Sequence, residues 1–221
     1  MNLKSPANIF NWLLDFIAPR TNSNQSSIHC YLTIDEINQQ QSSFLTLDKE
    51  FTDIFETIFI CSKYKSELIS DLIFRAKFNG ELAIIDDLVN LVDIKTFELA
   101  RPDIITFVPA DPVRKMERGY HIPYKIADKI SQKNNLKLVE FVEKIKSTKA
   151  QTKLDKAQRL VNLKKVFRLN SEIVNDYKAD YSGTIWLIDD IITTKTTMLA
   201  VAKIIKQEYP KIQIIGVGVA G

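Results

Sequence analysis

Short apolar runs that alternate with helical patterns constrain this chain more than any other feature of its sequence. The runs at 104–108, 184–188 and 212–219 are rich in branched apolar residues and contain no charge. Runs of this length are typical of strands buried on both faces of a parallel sheet. Parallel strands need long crossovers, which are usually helices. We therefore predict an α/β fold with a central, mostly parallel sheet flanked by helices.

The remaining elements follow from the spacing of apolar residues. Residues 136–142 resemble a further strand, and 110–119 are polar and predict a loop. Helical spacing occurs at 66–77, 81–93, 123–132 and in the stretch that begins at Met198 and ends before Tyr209-Pro210.

Composition excludes several classes of protein. The formal net charge of +3 is too small to indicate a nucleic-acid-binding protein. The apolar stretch 12–18 is interrupted by Asp15 and is too short to span a bilayer, so we expect no membrane insertion. Cys30 and Cys61 lie far apart in the sequence, which argues against a disulfide framework. We expect a cytoplasmic protein.

The pattern divides the chain into two parts. Residues 1–60 include polar stretches without periodicity, and we expect them to form a small N-terminal appendage. Residues 61–221 carry the alternating pattern and are expected to form the main domain.

The residues best suited to bind a ligand lie directly after the predicted strand 184–188. Asp189 and Asp190 come next, and a threonine-rich turn then leads into a helix. Helix N-termini offer unpaired N–H groups to a phosphate, while adjacent carboxylates can accept hydrogen bonds from a vicinal diol. A ribose 5-phosphate group satisfies both halves of the segment. The pair Asp86-Asp87 also follows Ala-Ile-Ile but has no such turn after it, so we interpret that pair as a solvated helix face.

Four segments together resemble one family. Ile185–Thr197 resembles the 5-phosphoribosyl-1-pyrophosphate (PRPP) motif of type I phosphoribosyltransferases, and the chain from about residue 60 onwards resembles the ComF/GntX branch of competence-associated proteins. Three further sets of residues carry the likeness: Tyr64, Ile73, Lys77, Phe78 and Gly80; Val108-Pro109-Ala110, Arg114 and Arg118-Gly119-Tyr120; Thr148, Gln151, Leu154, Arg159, Asn162 and Phe167.

The resemblance implies a type I phosphoribosyltransferase fold, which is Rossmann-like, and a role for each matching residue. Asp189 and Asp190 would bind the ribose hydroxyls, and Arg114, Lys115, Arg118 and Gly119 would belong to a pyrophosphate loop, with Mg²⁺ arriving bound to PRPP. The residues expected around the 5-phosphate are Thr193, Thr194, Lys195, Thr196 and Thr197. No general base is evident, and the candidates for a catalytic group are Lys77, Arg114 and Arg159.

The sequence departs from the family pattern at three places. Lys195 replaces a glycine of the phosphate turn; it would be strained at positive φ, or its ammonium could contact the phosphate instead. His121-Ile122 replaces Asn-Gln. Thr21 and Asn24 stand where a zinc module would begin, which leaves His29, Cys30 and Cys61 as too few ligands, so we predict no zinc.

Two hypotheses of different classes remain open at this stage. One is an enzyme that transfers phosphoribosyl from PRPP to an unknown base. The other is a non-catalytic protein that binds PRPP or a nucleoside monophosphate, or an accessory protein of DNA uptake whose partners are single-stranded DNA or the competence machinery. The departures at Lys195 and His121-Ile122 and the missing zinc module motivate the second hypothesis.

Overall fold

The computed structural model of the chain describes residues 32–146, 166–174, 177, 180–193 and 195–221. These residues belong to one compact unit, Tyr31–Gly221. The strands are β1 (Ser43–Phe44), β2 (Thr57–Ser62), β3 (Ile104–Phe107), β4 (Lys137–Leu138), β5 (Val142–Lys144), β6 (Phe167–Leu169), β7 (Thr184–Ile191) and β8 (Gln213–Ala220). The helices are α1 (Ile34–Gln39), α2 (Lys49–Thr52), α3 (Glu67–Phe74), α4 (Ile84–Lys95), α5 (Pro112–Arg118), α6 (Ile122–Asn134), α7 (Ser171–Val174) and α8 (Thr196–Glu208), and a π-helical segment, Arg75–Asn79, directly follows α3.

The main sheet has six strands in the order β1-β2-β8-β7-β3-β4. All its pairings are parallel except that of β1 with β2. The predicted α/β architecture with a mostly parallel sheet is therefore confirmed. The carboxyl ends of β3 and β7 meet at one edge, where ligands bind in open sheets of this kind.

Alternate residues of the central strands pack into two apolar layers. On β7, Trp186 and Ile188 face the layer under α3, α4 and α6, whereas Ile185 and Leu187 face the layer under α8. The antiparallel pair β5–β6 packs in the second layer, through Val142 among others. Because both faces are covered, the strands need apolar side chains at successive positions, which explains the continuous runs in the sequence.

The structure has a helix, α5, where the sequence predicted a loop over 110–119. The Asp111 side chain accepts a hydrogen bond from the N–H of Val113, Pro112 occupies the first turn, and Gly119 ends the helix at φ 74°. No residue of α5 is buried. Apolar periodicity, on which the prediction relied, is therefore missing, and the capping residues alone determine the helix.

Two further expectations need correction. The strand predicted over 136–142 is divided between β4, which extends the main sheet, and β5, which pairs with β6. Part of the segment assigned to an N-terminal appendage belongs to the sheet, since β1 pairs with β2 and β2 pairs with β8.

The Asp86-Asp87 pair is a solvated helix face only in part. Asp86 is exposed and pairs with Lys129. Asp87 is buried, and its carboxylate accepts a hydrogen bond of 2.7 Å from the N–H of Leu32. Burial raises the pKa of Asp87, and the bond from Leu32 opposes that rise.

Within the described ranges, no helix is both long enough and apolar enough to cross a membrane.

Candidate functional site

A cleft of about 320 Å³ opens at the carboxyl edge of the sheet. Val108 and Pro109 line it just beyond β3, and Asp189 and Asp190 line it near the end of β7. The predicted diol-binding carboxylates thus share one cleft with the segment that follows β3.

The two carboxylates of this cleft differ in environment. Asp190 is buried, and its carboxylate forms an ion pair of 2.8 Å with the Nζ of Lys77. Asp189 accepts a hydrogen bond of 2.9 Å from the backbone N–H of Asp190. Burial, followed by the neighbouring charge of Asp190, raises the pKa of Asp189 well above its usual range, while Lys77 acts in the opposite direction. The pair therefore favours a ligand that brings hydrogen-bond donors to it.

The π-helical segment Arg75–Asn79 brings Lys77 to Asp190. Its wide turn follows α3 directly and ends at Gly80, which has a φ of 72°. Such segments often occur at functional sites because they alter the direction of side chains. The hydroxyl of Tyr120 donates a hydrogen bond of 2.8 Å to the carbonyl of Ala76 within this segment. Two segments of the sequence that carry the resemblance are therefore in direct contact.

Helix α5 forms the basic wall of the cleft. Arg114, Lys115 and Arg118 all line the cleft, and the guanidinium of Arg118 also lies 4.8 Å from the ring centre of Phe78. The capping residue Asp111 forms a 3.0 Å ion pair with Lys144, which holds α5 close to β5. Positive charge at this wall is suited to an anionic ligand.

The threonine turn lies between the end of β7 and the start of α8. Thr197 lines the cleft, whereas the other described residues of the turn, Thr193, Lys195 and Thr196, are absent from its lining. Helix α8 has 13 residues, and its first turn carries no acidic residue. The positive end of its dipole is therefore available to a phosphate near Thr197.

Lys195 has a positive φ, as expected at a position where the family has glycine. Its φ is 54° and its ψ is −13°. Its ammonium does not lie in the cleft: it donates a hydrogen bond of 2.9 Å to the carbonyl of Thr46 and lies 5.6 Å from the ring centre of Phe51. The side chain thus connects the turn to the segment between β1 and α2.

His121 and Tyr64 complete the surroundings of the carboxylates. Burial lowers the pKa of His121 to about 4, so the imidazole is neutral near pH 7. Burial, with a smaller contribution from the charge of Asp190, raises the pKa of Tyr64. Both side chains stay uncharged at neutral pH, which leaves the basic side chains to provide the positive charge.

Some predicted site residues lie outside the described part of the chain. These are Thr194, Arg159 and, from the third segment of the resemblance, Thr148, Gln151, Leu154 and Asn162. The zinc expectation also concerns undescribed residues, His29 and Cys30; Cys61 is buried in β2, and its burial raises the pKa of its thiol. In the described ranges, no three His, Cys, Asp or Glu side chains are grouped so as to hold a metal ion.

Sequence reasoning missed the Asp111–Lys144 pair. Both side chains are largely buried, at 8% and 12% exposure. The N-cap position of Asp111 before Pro112 was a readable indication of a helix, but nothing in the sequence connects that residue to Lys144.

The sheet order, the two helical layers and the cleft at the carboxyl edge define an α/β protein of Rossmann-like architecture. The chain is similar to competence protein F of Haemophilus influenzae, with 29% identity over 148 residues, or 64% of this chain. This similarity agrees with the resemblance to the ComF/GntX family that the four sequence segments carry. The alignment spans 63% of the length of that relative. No protein-family model matches the chain.

Proposed function

We propose that the cleft binds the ribose 5-phosphate part of PRPP, and that the protein is a phosphoribosyltransferase-like member of the ComF family acting on an unknown base. One observation carries the proposal: a single cleft combines Asp189 and Asp190 with the α8 N-terminus and the basic wall of α5. Each part suits a different group of PRPP, namely the diol, the 5-phosphate and the diphosphate.

The roles of the side chains follow from their chemistry. The carboxylates accept hydrogen bonds from the ribose hydroxyls, and Thr197 with the first N–H groups of α8 binds the 5-phosphate. Arg114, Lys115 and Arg118 stabilise the negative charge that accumulates on the departing diphosphate. Lys77 orients Asp190, because the two side chains form an ion pair in which they are only 13% and 12% exposed.

Mg²⁺ would accompany PRPP, and when bound it would neutralise part of the diphosphate charge. Asp189 and Asp190 offer the hard oxygen ligands that this ion prefers. Because Asp190 already pairs with Lys77, the donor set fits an ion coordinated mainly by oxygens of the ligand.

Isothermal titration with ribose 5-phosphate and with PRPP plus Mg²⁺ tests binding. Replacing both Asp189 and Asp190 by Asn should weaken affinity by about 10- to 100-fold, since hydrogen bonds to charged groups contribute about 1.5–3 kcal/mol. Asp86→Asn is the matched control, because Asp86 is an exposed carboxylate of α4. Equal affinity of the double variant and the control would refute the proposed diol site.

A pyrophosphate-release assay with PRPP, Mg²⁺ and a panel of bases tests turnover. Release above the level of the double variant supports the enzyme. Tight PRPP binding without release supports the alternative, a non-catalytic PRPP or nucleotide-binding protein.

One observation favours that alternative. Lys195 occupies a left-handed position and its ammonium is engaged by Thr46, so the phosphate turn is tied to a neighbouring segment. A turn held in this way is less able to close around a phosphate.

Absent PRPP binding combined with salt-sensitive binding of single-stranded DNA would instead support an accessory role in DNA uptake.

A further inference from the structure

A second pocket of about 650 Å³ adjoins the cleft. The two share six lining residues, namely Pro109, Ala110, Lys115, Tyr120, His121 and Lys144, but Asp189, Asp190 and Thr197 line only the cleft. Its volume lies within the range of about 300–1,000 Å³ that is usual for small-molecule sites. Its lining differs chemically from that of the cleft, because it adds aromatic rings and carboxylates.

The aromatic part of the second pocket is a pair of rings on β3 and α6. Tyr124 and Phe107 have ring centres 5.3 Å apart and meet edge to face at 76°. Phe107 is buried, whereas Tyr124 is 38% exposed and lines the pocket. An exposed ring that is fixed by a buried one provides a platform for stacking with a planar ligand.

The polar part of the pocket includes two carboxylates, Glu143 on β5 and Glu140 just before it. Glu143 is engaged by Arg168, with an Oε2–Nη2 distance of 3.0 Å. Glu140 also lines the pocket, and within the described ranges no hydrogen bond or ion pair reaches its carboxylate. Partial burial raises the pKa of Glu140, and the charge of Lys115 opposes this rise. Glu140 therefore offers a carboxylate that can accept hydrogen bonds from a ligand.

We propose that the second pocket binds a heteroaromatic ring that carries an amino group, with the ring stacked on Tyr124 and the amino group donating to Glu140. A carboxylate next to an aromatic platform selects for N–H donors on the ring edge, as glutamate and aspartate do towards the amino group of cytosine. The ion pair between Asp111 and Lys144 gives the pocket a fixed frame, since it joins α5 to β5. This site does not depend on the function proposed for the cleft.

The test uses a fluorescent probe and a competitor that differ only in one amino group. The full-length protein is titrated into 2-aminopurine riboside, whose emission falls when the base stacks on an aromatic ring, and purine riboside then competes for the site. Quenching is expected, together with at least fivefold weaker competition by purine riboside. No quenching up to millimolar protein would overturn the proposal.

Variants assign the contacts. Tyr124→Leu should weaken 2-aminopurine riboside binding about tenfold, which is the effect expected when one stacking contact is lost. Phe97→Leu is the control, because Phe97 is 78% exposed and is absent from the pocket lining. Glu140→Met should abolish the preference for the aminated probe, because it removes the acceptor oxygens, whereas Glu172→Met, at an exposed carboxylate, should preserve it. Retained preference in Glu140→Met would contradict the assignment.

A last comparison separates the two sites. The double variant at Asp189 and Asp190 should leave the affinity for 2-aminopurine riboside unchanged, even where it abolishes binding of ribose 5-phosphate. If that variant also loses the fluorescent probe, the ring binds in the cleft and the second pocket is not its site.

Discussion

Lys195 adopts a left-handed backbone at a position where its side chain also makes specific contacts. A non-glycine residue in this conformation costs about 1–2 kcal/mol. The hydrogen bond to Thr46 and the contact with the Phe51 ring offset part of that cost. The residue therefore combines an unfavourable backbone with a favourable side chain, and substitutions can separate the two.

We expect Lys195→Ala to be less stable than Lys195→Gly by about 1 kcal/mol. Both variants lose the contacts with Thr46 and Phe51, but only glycine relieves the backbone strain at φ 54°. Urea unfolding of the two variants measures the difference. An alanine variant as stable as the glycine variant would show that the turn is not left-handed in solution.

Asp189 illustrates the conflict between stability and binding at a single residue. Its pKa in the folded protein is raised by burial and by Asp190, so its charge destabilises the fold. A carboxyl group whose pKa is higher in the folded protein than in the unfolded chain stabilises the fold in its protonated form. This contribution is fully present below the pKa of the unfolded chain, near 3.9, and is lost as pH rises through the pKa of the folded protein. Asp189→Asn should therefore gain on the order of 1 kcal/mol at pH 7 and nothing at pH 3.

Thermal unfolding of wild type and Asp189→Asn over that pH range gives the measurement, with Asp86→Asn as the exposed reference. The variant should bind ribose 5-phosphate more weakly while it unfolds at a higher temperature at pH 7. A constant difference in stability at all pH values would mean that ionisation of Asp189 is not the cause.

At the scale of elements, the π-helical segment contacts the linker between α5 and α6, and both contribute residues to the lining of the cleft. The hydroxyl of Tyr120 bonds the carbonyl of Ala76, and Lys77 follows in the same turn. We expect Tyr120→Phe to cost about 0.5–1.5 kcal/mol, the usual net contribution of one hydrogen bond. The ring remains, so packing is preserved and the loss isolates the hydroxyl.

The same substitution has a consequence for the site. Release of the π-helical segment should loosen the Lys77–Asp190 pair and weaken ribose 5-phosphate binding, which titration can measure. Tyr64→Phe is a useful comparison, since Tyr64 also lies close enough to Asp190 to respond to its charge. Unchanged ligand affinity in Tyr120→Phe would show that this contact supports the fold alone.

The elements that the sequence predicted well are those buried in the two apolar layers. Strand β7 and helix α8 carry their apolar residues at the period that their structure requires, because one or both faces are covered. Helix α5 has no buried residue, so its periodicity carries no information, and only its caps identify it. The spacing of apolar residues therefore predicts an element only where at least one of its faces is buried.

Without the family resemblance, the candidate site was predictable only where its residues lie on one continuous segment of the chain. Asp189, Asp190 and Thr197 follow one another along a strand–turn–helix segment, and the cleft contains all three. The Lys144–Asp111 pair and the bond from Leu32 to Asp87 join residues that are distant in sequence. Such contacts depend on how the elements pack, which a local pattern does not contain.

At the scale of the whole molecule, the segment 31–55 completes the main domain. It supplies β1, and it buries Leu32, Ile37, Phe51 and Phe55. It also provides the N–H that bonds the buried Asp87 and the carboxylate of Glu50 that pairs with Lys203 at 2.6 Å. These contacts place it on both faces of the sheet.

A chain that begins at residue 31 should therefore fold cooperatively, whereas one that begins at residue 56 should not. Losing the burial of these four large apolar side chains costs about 1.5–3 kcal/mol each, and the sum is comparable with a net domain stability of about 5–15 kcal/mol. Loss of the bond from Leu32 would in addition leave Asp87 buried without that donor. Circular dichroism during thermal unfolding, compared with the full chain, distinguishes the outcomes, and a sharp transition in the chain from residue 56 would show that the sheet is stable without β1 and its flanking helices.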